Sequence, residues 1–358
     1  MNAHPFDSLE LLRSLVLSVV LALILIVPAS ADISGGICPI NQFSVGATSG
    51  WISGMTRGLD GDIWFIKPVT STGYYIVKMT PNGTLTEFSV DGTPFRLAYG
   101  SDQNVWYTRS DSGVVSRLTL SGTIAAFPLP GNRSDGITVG ADANLWLTDS
   151  SGNQIERVNL EGSVTGQFAI PTANSSPSDI VLGADDNLWF IESATNKIGR
   201  ISTSGIIAEF LTVTPSAYLT NISPGPDGNI WFAETVGCVP YCSYSYYNRI
   251  TPDGTITRFG STYPISGITA GSDGNLWAIL LLRYNFLLGR IAMDGSLTTY
   301  GFPSTYPLLF RYGRDIVSGG DGKIWVGTGE TGSYNGQSIE AFDPHKPGCY
   351  SYLPWVVR

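Results

Sequence analysis

One short phrase occurs seven times along this chain, with Asp four residues before Trp and Ile, Leu or Val directly before Trp. The seven tryptophans are Trp64, Trp106, Trp146, Trp189, Trp231, Trp277 and Trp325. Successive copies lie 40 to 48 residues apart, close to the period of roughly 40 to 50 residues that one propeller blade occupies. A unit repeated at this spacing needs its neighbours to bury its apolar face, so the repeat restricts the fold more than any other feature.

Each repeat has the pattern of four strands. In the sixth repeat we predict an inner strand at Gly267–Ala270, a second at Asn275–Ile279, a third at Leu287–Ala292 and an outer strand at Ser296–Tyr300. Alternating apolar residues and Asp/Gly turns favour strands over helices. The sequence therefore predicts an all-β protein, a seven-bladed β-propeller of four-stranded blades.

The two ends of the chain complete one another. An outer-strand pattern that begins with Gly and ends in an aromatic residue follows six of the seven Trp phrases. The missing one is at Ile40–Phe43, which no blade precedes, whereas Ser338–Phe342 has the pattern of a third strand that nothing follows. We therefore predict a composite blade from the N- and C-terminal segments, which closes the ring and removes exposed sheet edges.

The four cysteines are expected to form two disulfides, because an even number in an exported chain favours disulfides over thiol chemistry. Cys38 and Cys349 both fall where the composite blade would have its last hairpin, which predicts a bond between them. Cys238 and Cys242 lie in an enlarged loop of the fifth repeat, and a bond between them would stiffen it. Free, buried thiols are the alternative.

The N-terminus has the features of a secretory leader. An apolar run, Leu15–Val27, follows Arg13 and precedes Ala29, Ser30 and Ala31, a small-residue pattern that signal peptidase cuts. We predict a signal peptide at residues 1–31, a single propeller domain at residues 32–358, and a secreted, periplasmic or cell-surface monomer. An uncleaved membrane anchor is the alternative, and only that form would contact a membrane.

The charge of the chain excludes one class of partner. The formal net charge is −9, and the basic residues form no cluster. Because an acidic surface repels phosphate backbones, we expect no nucleic-acid partner.

The repeated phrase itself predicts structure rather than chemistry. Large aromatic residues at one equivalent point of every blade are expected to fill the space between blades. The Asp of each phrase is expected to cap its own turn by accepting backbone N–H groups, rather than to bind a metal.

Function is expected at the end of the ring where inner strands begin and second strands end, together with the loops there. Polar residues fall at these points, eleven residues before or three after each Trp, and an enlarged loop adds tyrosines. The candidate ligand-binding residues are Arg109, Asp135, Asp149, Glu192, Glu234, Tyr244 and Arg314. The alternatives are a solvated rim whose charges pair with one another, and tyrosines that merely cover the enlarged blades.

The repeats resemble the streptogramin B lyase (virginiamycin B lyase) family of seven-bladed propellers. The phrases that carry the resemblance are Asn196–Ile201, Asn229–Glu234 and Gly267–Trp277, and the similarity covers residues 36 to 345. The resemblance implies a Mg²⁺-dependent elimination that opens the lactone of a cyclic depsipeptide, with histidines at the starts of inner strands and glutamates nearby. Glu192 and Glu234 match the glutamate pattern.

No inner strand here begins with His, so the family's elimination is not carried over to this chain. The corresponding residues are Ser53, Phe95, Asp135, Ser178, Thr220, Ser266 and Arg314. An imidazole is the group whose pKa best suits proton transfer near neutral pH. We therefore expect a secreted module that binds a small molecule, a glycan or a protein at the mouth.

Two alternatives remain open at the level of sequence. One is a carboxylate-based, divalent-cation-dependent lyase or lactone hydrolase that acts on a cyclic depsipeptide or lactone. Mg²⁺ would be its cofactor, whereas the binding module implies no particular cofactor or metal ligand. The other is a structural protein of the cell envelope.

Overall fold

Seven antiparallel four-stranded sheets form a closed ring in the computed structural model. The structure describes residues 26–27, 32–36, 40–47, 51–69, 73–131, 134–214, 217–237, 244–261, 263–282, 286–301, 310–331 and 336–346. All the regular elements in these ranges are strands. The predicted all-β, seven-bladed propeller is confirmed. Within the described ranges, no helix is long and apolar enough to cross a membrane.

The blades are numbered 1 to 7 in the order of the Trp phrases, and each runs from an inner to an outer strand. The inner strands are β4 (Ser53–Arg57), β8 (Pro94–Tyr99), β12 (Ser134–Val139), β16 (Pro177–Leu182), β20 (Tyr218–Pro224), β24 (Ile265–Ala270) and β28 (Phe310–Ser318). The second strands, which carry the tryptophans, are β5 (Ile63–Val69), β9 (Val105–Arg109), β13 (Leu145–Asp149), β17 (Leu188–Glu192), β21 (Ile230–Val236), β25 (Leu276–Leu281) and β29 (Ile324–Thr331).

The third strands are β6 (Gly73–Met79), β10 (Val114–Leu118), β14 (Gln154–Val158), β18 (Lys197–Ile201), β22 (Tyr244–Ile250), β26 (Phe286–Ile291) and β30 (Gly336–Phe342). The outer strands are β7 (Leu85–Val90), β11 (Ile124–Pro128), β15 (Val164–Ala169), β19 (Ile207–Leu211), β23 (Ile256–Ser261), β27 (Leu297–Gly301) and β3 (Asn41–Ala47).

Blade 7 is the predicted composite blade. The N-terminal strand β3 pairs antiparallel with the C-terminal strand β30, with Phe43 opposite Ile339. Phe43 then packs onto Gly83 of blade 1, whose backbone is in the left-handed region (φ +89) and where a Cβ would clash with the Phe43 ring. The outer aromatic residues of blades 1 to 5 each meet such a glycine in the following blade, as Phe168 does at Gly205. The contact that closes the ring is therefore the one that joins those blades.

Two short N-terminal strands extend blades 5 and 6, which the sequence did not predict. β1 (Ile26–Val27) pairs parallel with β23, and β2 (Asp32–Gly36) pairs parallel with β27. The outer strand of a blade presents unpaired N–H and C=O groups, so an extended segment can add to it. Whether residues 1–31 are cleaved stays a prediction.

The seven tryptophans form the cores between blades, as predicted, and each is at most 1% exposed. Trp189 of blade 4, for example, packs with Ile230, Phe232 and Ile250 of blade 5. The Trp side of each second strand therefore faces the following blade. The residues on the opposite side face the preceding blade.

Each Trp phrase is fastened by its own Asp. In blade 4, Asp185 Oδ1 accepts the backbone N–H of Asn187 at 3.3 Å and the indole N–H of Trp189 at 3.1 Å. The capping role is confirmed. The bond to the indole, which is present in every blade except blade 1, was not predicted, and it gives a buried polar atom the partner that it needs.

Candidate functional site

A β-bulge interrupts the start of every inner strand. In blade 2, Pro94 pairs with Arg109 and Leu97 pairs with Tyr107, so Phe95 and Arg96 together lie opposite one residue, Thr108. The same one-residue shift recurs in the other six blades. A bulge re-aims side chains locally. Consequently, two consecutive residues of each inner strand are candidates to line the channel.

Threonine hydroxyls hold the bulges of blades 2 and 3. Thr108 Oγ1 accepts the Arg96 N–H at 3.2 Å and donates to the Asp135 carbonyl at 3.1 Å. Thr148 Oγ1 likewise accepts the Gly136 N–H at 2.7 Å and donates to the Ser178 carbonyl. Each buried hydroxyl thus links the inner strand of its own blade to that of the next.

Two adjoining cavities occupy the axis of the ring. The larger, of about 740 Å³, follows the inner strands, and the smaller, of about 530 Å³, lies where those strands begin. We call the smaller one the mouth cavity. Phe95, Arg96, Asp179, Asn221 and Ser266 line both, so the mouth cavity opens into the channel.

The mouth cavity is rich in hydroxyl groups. Ser150, Ser176, Ser178 and Ser193 form one wall between blades 3 and 4, and Ser193 Oγ donates to Ser178 Oγ at 2.9 Å. Ser176 is held in the left-handed conformation, at φ 49°. Such a conformation is uncommon away from glycine and costs about 1–3 kcal/mol, so the surrounding contacts must impose it.

One guanidinium and three carboxylates meet at the junction of the two cavities. Arg96 Nε lies 3.7 Å from Asp179 Oδ1. Burial lowers the pKa of Arg96, but Asp179, Asp315 and Asp135 outweigh this and raise it above its ordinary value. Burial raises the pKa of Asp315, although Arg96 and the backbone N–H groups of Met55 and Ile316 oppose that shift.

The first of the two rows predicted from sequence reaches the mouth. Phe95, Asp135, Ser178, Thr220 and Ser266, each eleven residues before a Trp, all line the mouth cavity. Asp135 is therefore placed as the sequence predicted.

The second row, three residues after each Trp, is not brought together. Arg109 is paired within its own hairpin, with Nε 3.1 Å from Asp111 Oδ1. Asp149 is fully buried, and its Oδ1 accepts the N–H groups of Ser151 and Gly152 at 3.0 and 2.8 Å. Neither residue lines the two cavities. The side chains of Tyr244 and Arg314 lie outside the described part of the structure, as do all four cysteines.

Glu234 of the second row is a buried partner in an ion pair. Its Oε2 lies 2.9 Å from Arg258 Nη2 and accepts the Thr214 hydroxyl at 2.8 Å. The carboxylate is fully buried on the side of β21 that faces blade 4. It therefore lies between blades 4 and 5 and lines neither cavity.

Glu192 of the second row forms an acid pair between blades 3 and 4. It is fully buried, Oε2 accepts the Thr195 hydroxyl at 3.1 Å, and a side-chain hydrogen bond joins it to Glu209. Burial, with the charge of Glu209 and their hydrogen bond, raises the pKa of Glu192 to about 7. Glu192 is therefore largely protonated in mildly acid solution.

Arg96, Asp179, Asn221 and Asp315 are the channel residues that the sequence analysis missed. Each follows directly after a residue of the first row, and simple alternation would turn it away from the channel. The bulge overrides that alternation. The bulge recurs in all seven inner strands, but it is visible only in the backbone pairing. The sequence alone therefore gave no signal for these residues.

Within the part of the chain that the structure describes, neither a metal cluster nor an imidazole is found at the mouth. Among the described residues, no group of three or more His, Cys, Asp or Glu side chains converges in a way that could hold a metal ion. The chain has two histidines, His4 and His345. His345 Nε2 lies 3.2 Å from the hydroxyl of Ser272, in the turn between β24 and β25 at the opposite end of the ring.

The fold and this site define a closed seven-bladed propeller whose axial channel opens into a polar mouth. The chain matches the model of the Virginiamycin B lyase family over residues 35–240. It belongs to that family.

Individual relatives agree with this assignment. A virginiamycin B lyase of Nocardia farcinica (strain IFM 10152) is 31% identical over 77 residues, which is 22% of this chain and 26% of that protein. The chain thus matches about a quarter of the length of this curated relative.

Among solved structures, a streptogramin B lyase is 26% identical with a TM-score of 0.69, over 84% of this chain and 97% of that chain. A catalytically inactive virginiamycin B lyase from Staphylococcus aureus with quinupristin is 27% identical with a TM-score of 0.70, over 84% and 99%. The extracellular domain of a putative one-component system from B. thetaiotaomicron shares the fold at 12% identity and a TM-score of 0.62, over 91% of this chain and 44% of that chain.

Proposed function

We propose that this chain is a secreted ligand-binding propeller that holds a small, polar, non-anionic molecule in its mouth cavity and does not perform the family's elimination. The observation that carries the proposal is the lining of that cavity. Five serines, Asn221, Asp135, Asp179 and Arg96 surround about 530 Å³, within the range of volumes typical of small-molecule sites.

The chemistry of the lining indicates the kind of molecule. Serine hydroxyls both donate and accept, carboxylates accept, and the guanidinium donates, so the cavity suits a ligand with several hydroxyl or amine groups. Among the side chains that the structure describes at the mouth cavity, Arg96 carries the one positive charge, and it faces the carboxylates of Asp135, Asp179 and Asp315. The resulting negative potential disfavours phosphates and carboxylates.

Two observations argue against elimination chemistry. The staphylococcal relative with quinupristin is a catalytically inactive variant in which a histidine was replaced by alanine, and no inner strand of this chain begins with His. Moreover, Glu192 and Glu234, which match the family's glutamate pattern, are fully buried between blades. A general acid or base must come within hydrogen-bond reach of the substrate.

The test compares one mouth residue with a matched control in the same blade. A panel of neutral saccharides, amino sugars and polyamines would be screened by thermal shift, since a molecule that binds only the folded protein raises its apparent stability. Asp179→Asn should lower the affinity of a compound found in this way. Asp186→Asn makes the same change on an exposed turn at the opposite end of blade 4, and should leave affinity unchanged. Equal affinities for both variants would contradict the proposed site.

A second candidate function is favoured by the family match alone. The chain would then be a lyase or lactone hydrolase that acts on a cyclic depsipeptide with Mg²⁺. Incubation with quinupristin and Mg²⁺, followed by mass spectrometry, would reveal a ring-opened product. We expect none, and a product that disappears in Asp179→Asn but not in Asp186→Asn would establish an enzyme at this mouth.

Secretion is proposed from the leader at residues 1–31. Sequencing the N-terminus of the protein recovered from outside the cytoplasm should give Asp32 as the first residue. An intact residue 1 on a membrane-bound protein would support the anchor instead.

A further inference from the structure

Glu192 and Glu209 both belong to blade 4, on the side that faces blade 3. Their charges differ from those of the residue pairs at the same positions in blades 1 and 5. Strand register places Glu209 of blade 4 at the same point as Arg258 of blade 5 and Glu87 of blade 1. In blades 5 and 1 this residue forms an ion pair with the residue three positions after Trp. Arg258 pairs with Glu234 in blade 5, and Glu87 pairs with Lys67 in blade 1. In blade 4 both positions hold glutamates, Glu209 and Glu192, so two carboxyl groups lie together.

A hydrogen bond between the carboxyl groups of Glu192 and Glu209 requires a proton on one of them. With both carboxyl groups ionised, Oε1 of Glu192 has no hydrogen-bond partner among the described residues, although the side chain is fully buried. A proton on Glu192 makes it a donor, and Glu209 is then the acceptor. An unpaired buried polar atom is destabilising, so the protonated pair is the satisfied one.

Other charged groups act weakly on this pair. Lys197 of β18 lies 3.5 Å from Glu209 Oε2 and also donates to the Thr172 hydroxyl. The linker before β16 and the turn after β17 contribute only the uncharged Thr172 and Thr195. On the facing side of blade 3, Arg157 lies at the far end, where it donates to the Thr203 carbonyl. Among the described residues, Lys197 is therefore the one cation that faces the two carboxyl groups.

Glu209 also anchors the wall of the mouth cavity. Its Oε1 accepts the backbone N–H of Thr172 at 3.1 Å, and Thr172 belongs to the linker of residues 170–176 between blades 3 and 4. The linker ends in the strained Ser176, which lines the mouth. Its other bonds run to Asn153, to Lys197 and to the turn after β17, as from Ser175 N–H to Asn153 Oδ1 at 2.7 Å.

We propose that Glu192 and Glu209 form a proton-sensitive latch: while Glu192 holds its proton the latch fastens linker 170–176, and ionisation of Glu192 releases that linker and opens the serine wall of the mouth. Ionisation sets two carboxylates against each other in a buried site, and Glu209 then turns away from Thr172. The consequence for ligand binding rests on the proposed function of the mouth, whereas the movement of the linker does not.

Two measurements on the unliganded protein test the latch. Carbon NMR of the glutamate carboxyl groups should show one that titrates close to neutral pH and is missing in Glu192→Gln. Hydrogen exchange of residues 170–176, corrected for the intrinsic effect of pH, should be about tenfold faster at about pH 8 than at about pH 6, because opening is then coupled to loss of one proton.

Variants separate the latch from a general effect of charge. Glu192→Gln mimics the protonated acid and should keep the linker protected at both pH values. Glu209→Gln should also remove the pH dependence, because its amide can donate to an ionised Glu192. Glu161→Gln removes one charge from an exposed turn and should behave as the unmodified protein.

The outcomes distinguish the latch from the proposed function. Equal corrected exchange at both pH values, or a normal acid titration of Glu192, overturns the latch. A linker that opens as expected, in a protein whose mouth variants do not alter ligand affinity, confirms the latch and rejects the proposed function.

Discussion

The guanidinium of Arg157 lies over the indole of Trp146, 5.7 Å from the ring centroid, and donates to the carbonyl of Thr203 in the next blade at 3.0 Å. The same arrangement recurs in blades 2, 4 and 5. Its members are Arg117 with Trp106 and Leu160, Arg200 with Trp189 and Pro252, and Arg249 with Trp231 and Met293. The core tryptophan of each of these blades is thus covered by a charge that also binds the following blade.

Arg157→Met should therefore weaken the contact between blades 3 and 4. The loss of one stacked cation and its bond to Thr203 should lower the free energy of unfolding by about 1–3 kcal/mol. Urea unfolding measures this. Arg157→Lys keeps the charge but loses the planar fork, so its loss should be intermediate, and equal stability of all three proteins would contradict the role.

Asp185→Ala should leave the indole N–H of Trp189 without its acceptor. A buried donor without a partner costs about 1–3 kcal/mol, which thermal or urea unfolding can detect. Asp186→Asn is the control, because Asp186 is the exposed neighbour and has a left-handed backbone, φ 60°, which Asn tolerates. The role of Asp185 would be rejected if both variants were equally stable.

Arg258→Met should isolate the buried carboxylate of Glu234. Removing one partner of a buried ion pair typically costs about 3–5 kcal/mol, because the remaining charge is uncompensated. The double variant Arg258→Met with Glu234→Gln should regain part of that loss. Additive losses in this double-mutant cycle would show that the two side chains do not interact.

Glu192→Gln should flatten the dependence of stability on pH. The pKa of Glu192 is raised to about 7 from its ordinary value of 4.5, so the folded state holds a proton that the unfolded state has lost. Stability is full below the unfolded pKa and falls as pH rises from about 4.5 to about 7, by on the order of 3 kcal/mol. Above that range the variant should be the more stable protein, and denaturant unfolding across the range would test this against Glu161→Gln.

The predicted disulfides can be tested without structural data. Peptide mapping under non-reducing conditions should recover Cys38 linked to Cys349 and Cys238 linked to Cys242. The first bond would close a loop of some 300 residues, for which the chain-entropy estimate is about 5 kcal/mol. Free thiols at all four positions would remove this contribution and leave the pairing of β3 with β30 as the link between the ends.

Most of the architecture could be read from the sequence because it depends on local patterns. The Trp phrase marks every second strand, and the glycine-to-aromatic pattern marks the outer strands. The unmatched pieces around Phe43 and Ile339 predicted the composite blade, which the pairing of β3 with β30 confirms. The Asp of the phrase was correctly expected to cap its turn, as Asp185 does.

The site could be read only in part. Asp135 and its equivalents begin the inner strands and do reach the mouth cavity. Glu192 ends β17, and Glu234 lies two residues before the end of β21 at the same rim. An odd spacing from Trp nevertheless places both on the opposite side of the strand, against the preceding blade. That side is buried. There Glu192 meets Glu209, whereas Glu234 meets Arg258.

By itself the sequence determined the number of blades, their strands and the closure of the ring, because strand periodicity and turn chemistry act over a few residues. Only the tertiary structure decided that Arg96, Asp179 and Asp315 meet in the channel, since bulges redirect them and the three come from blades 2, 4 and 7. The pairing of Glu192 with Glu209, which protonation satisfies, likewise depends on register and burial between blades. These contacts join residues that are distant in the sequence or that face one another only after the blades pack, so no local pattern predicts them.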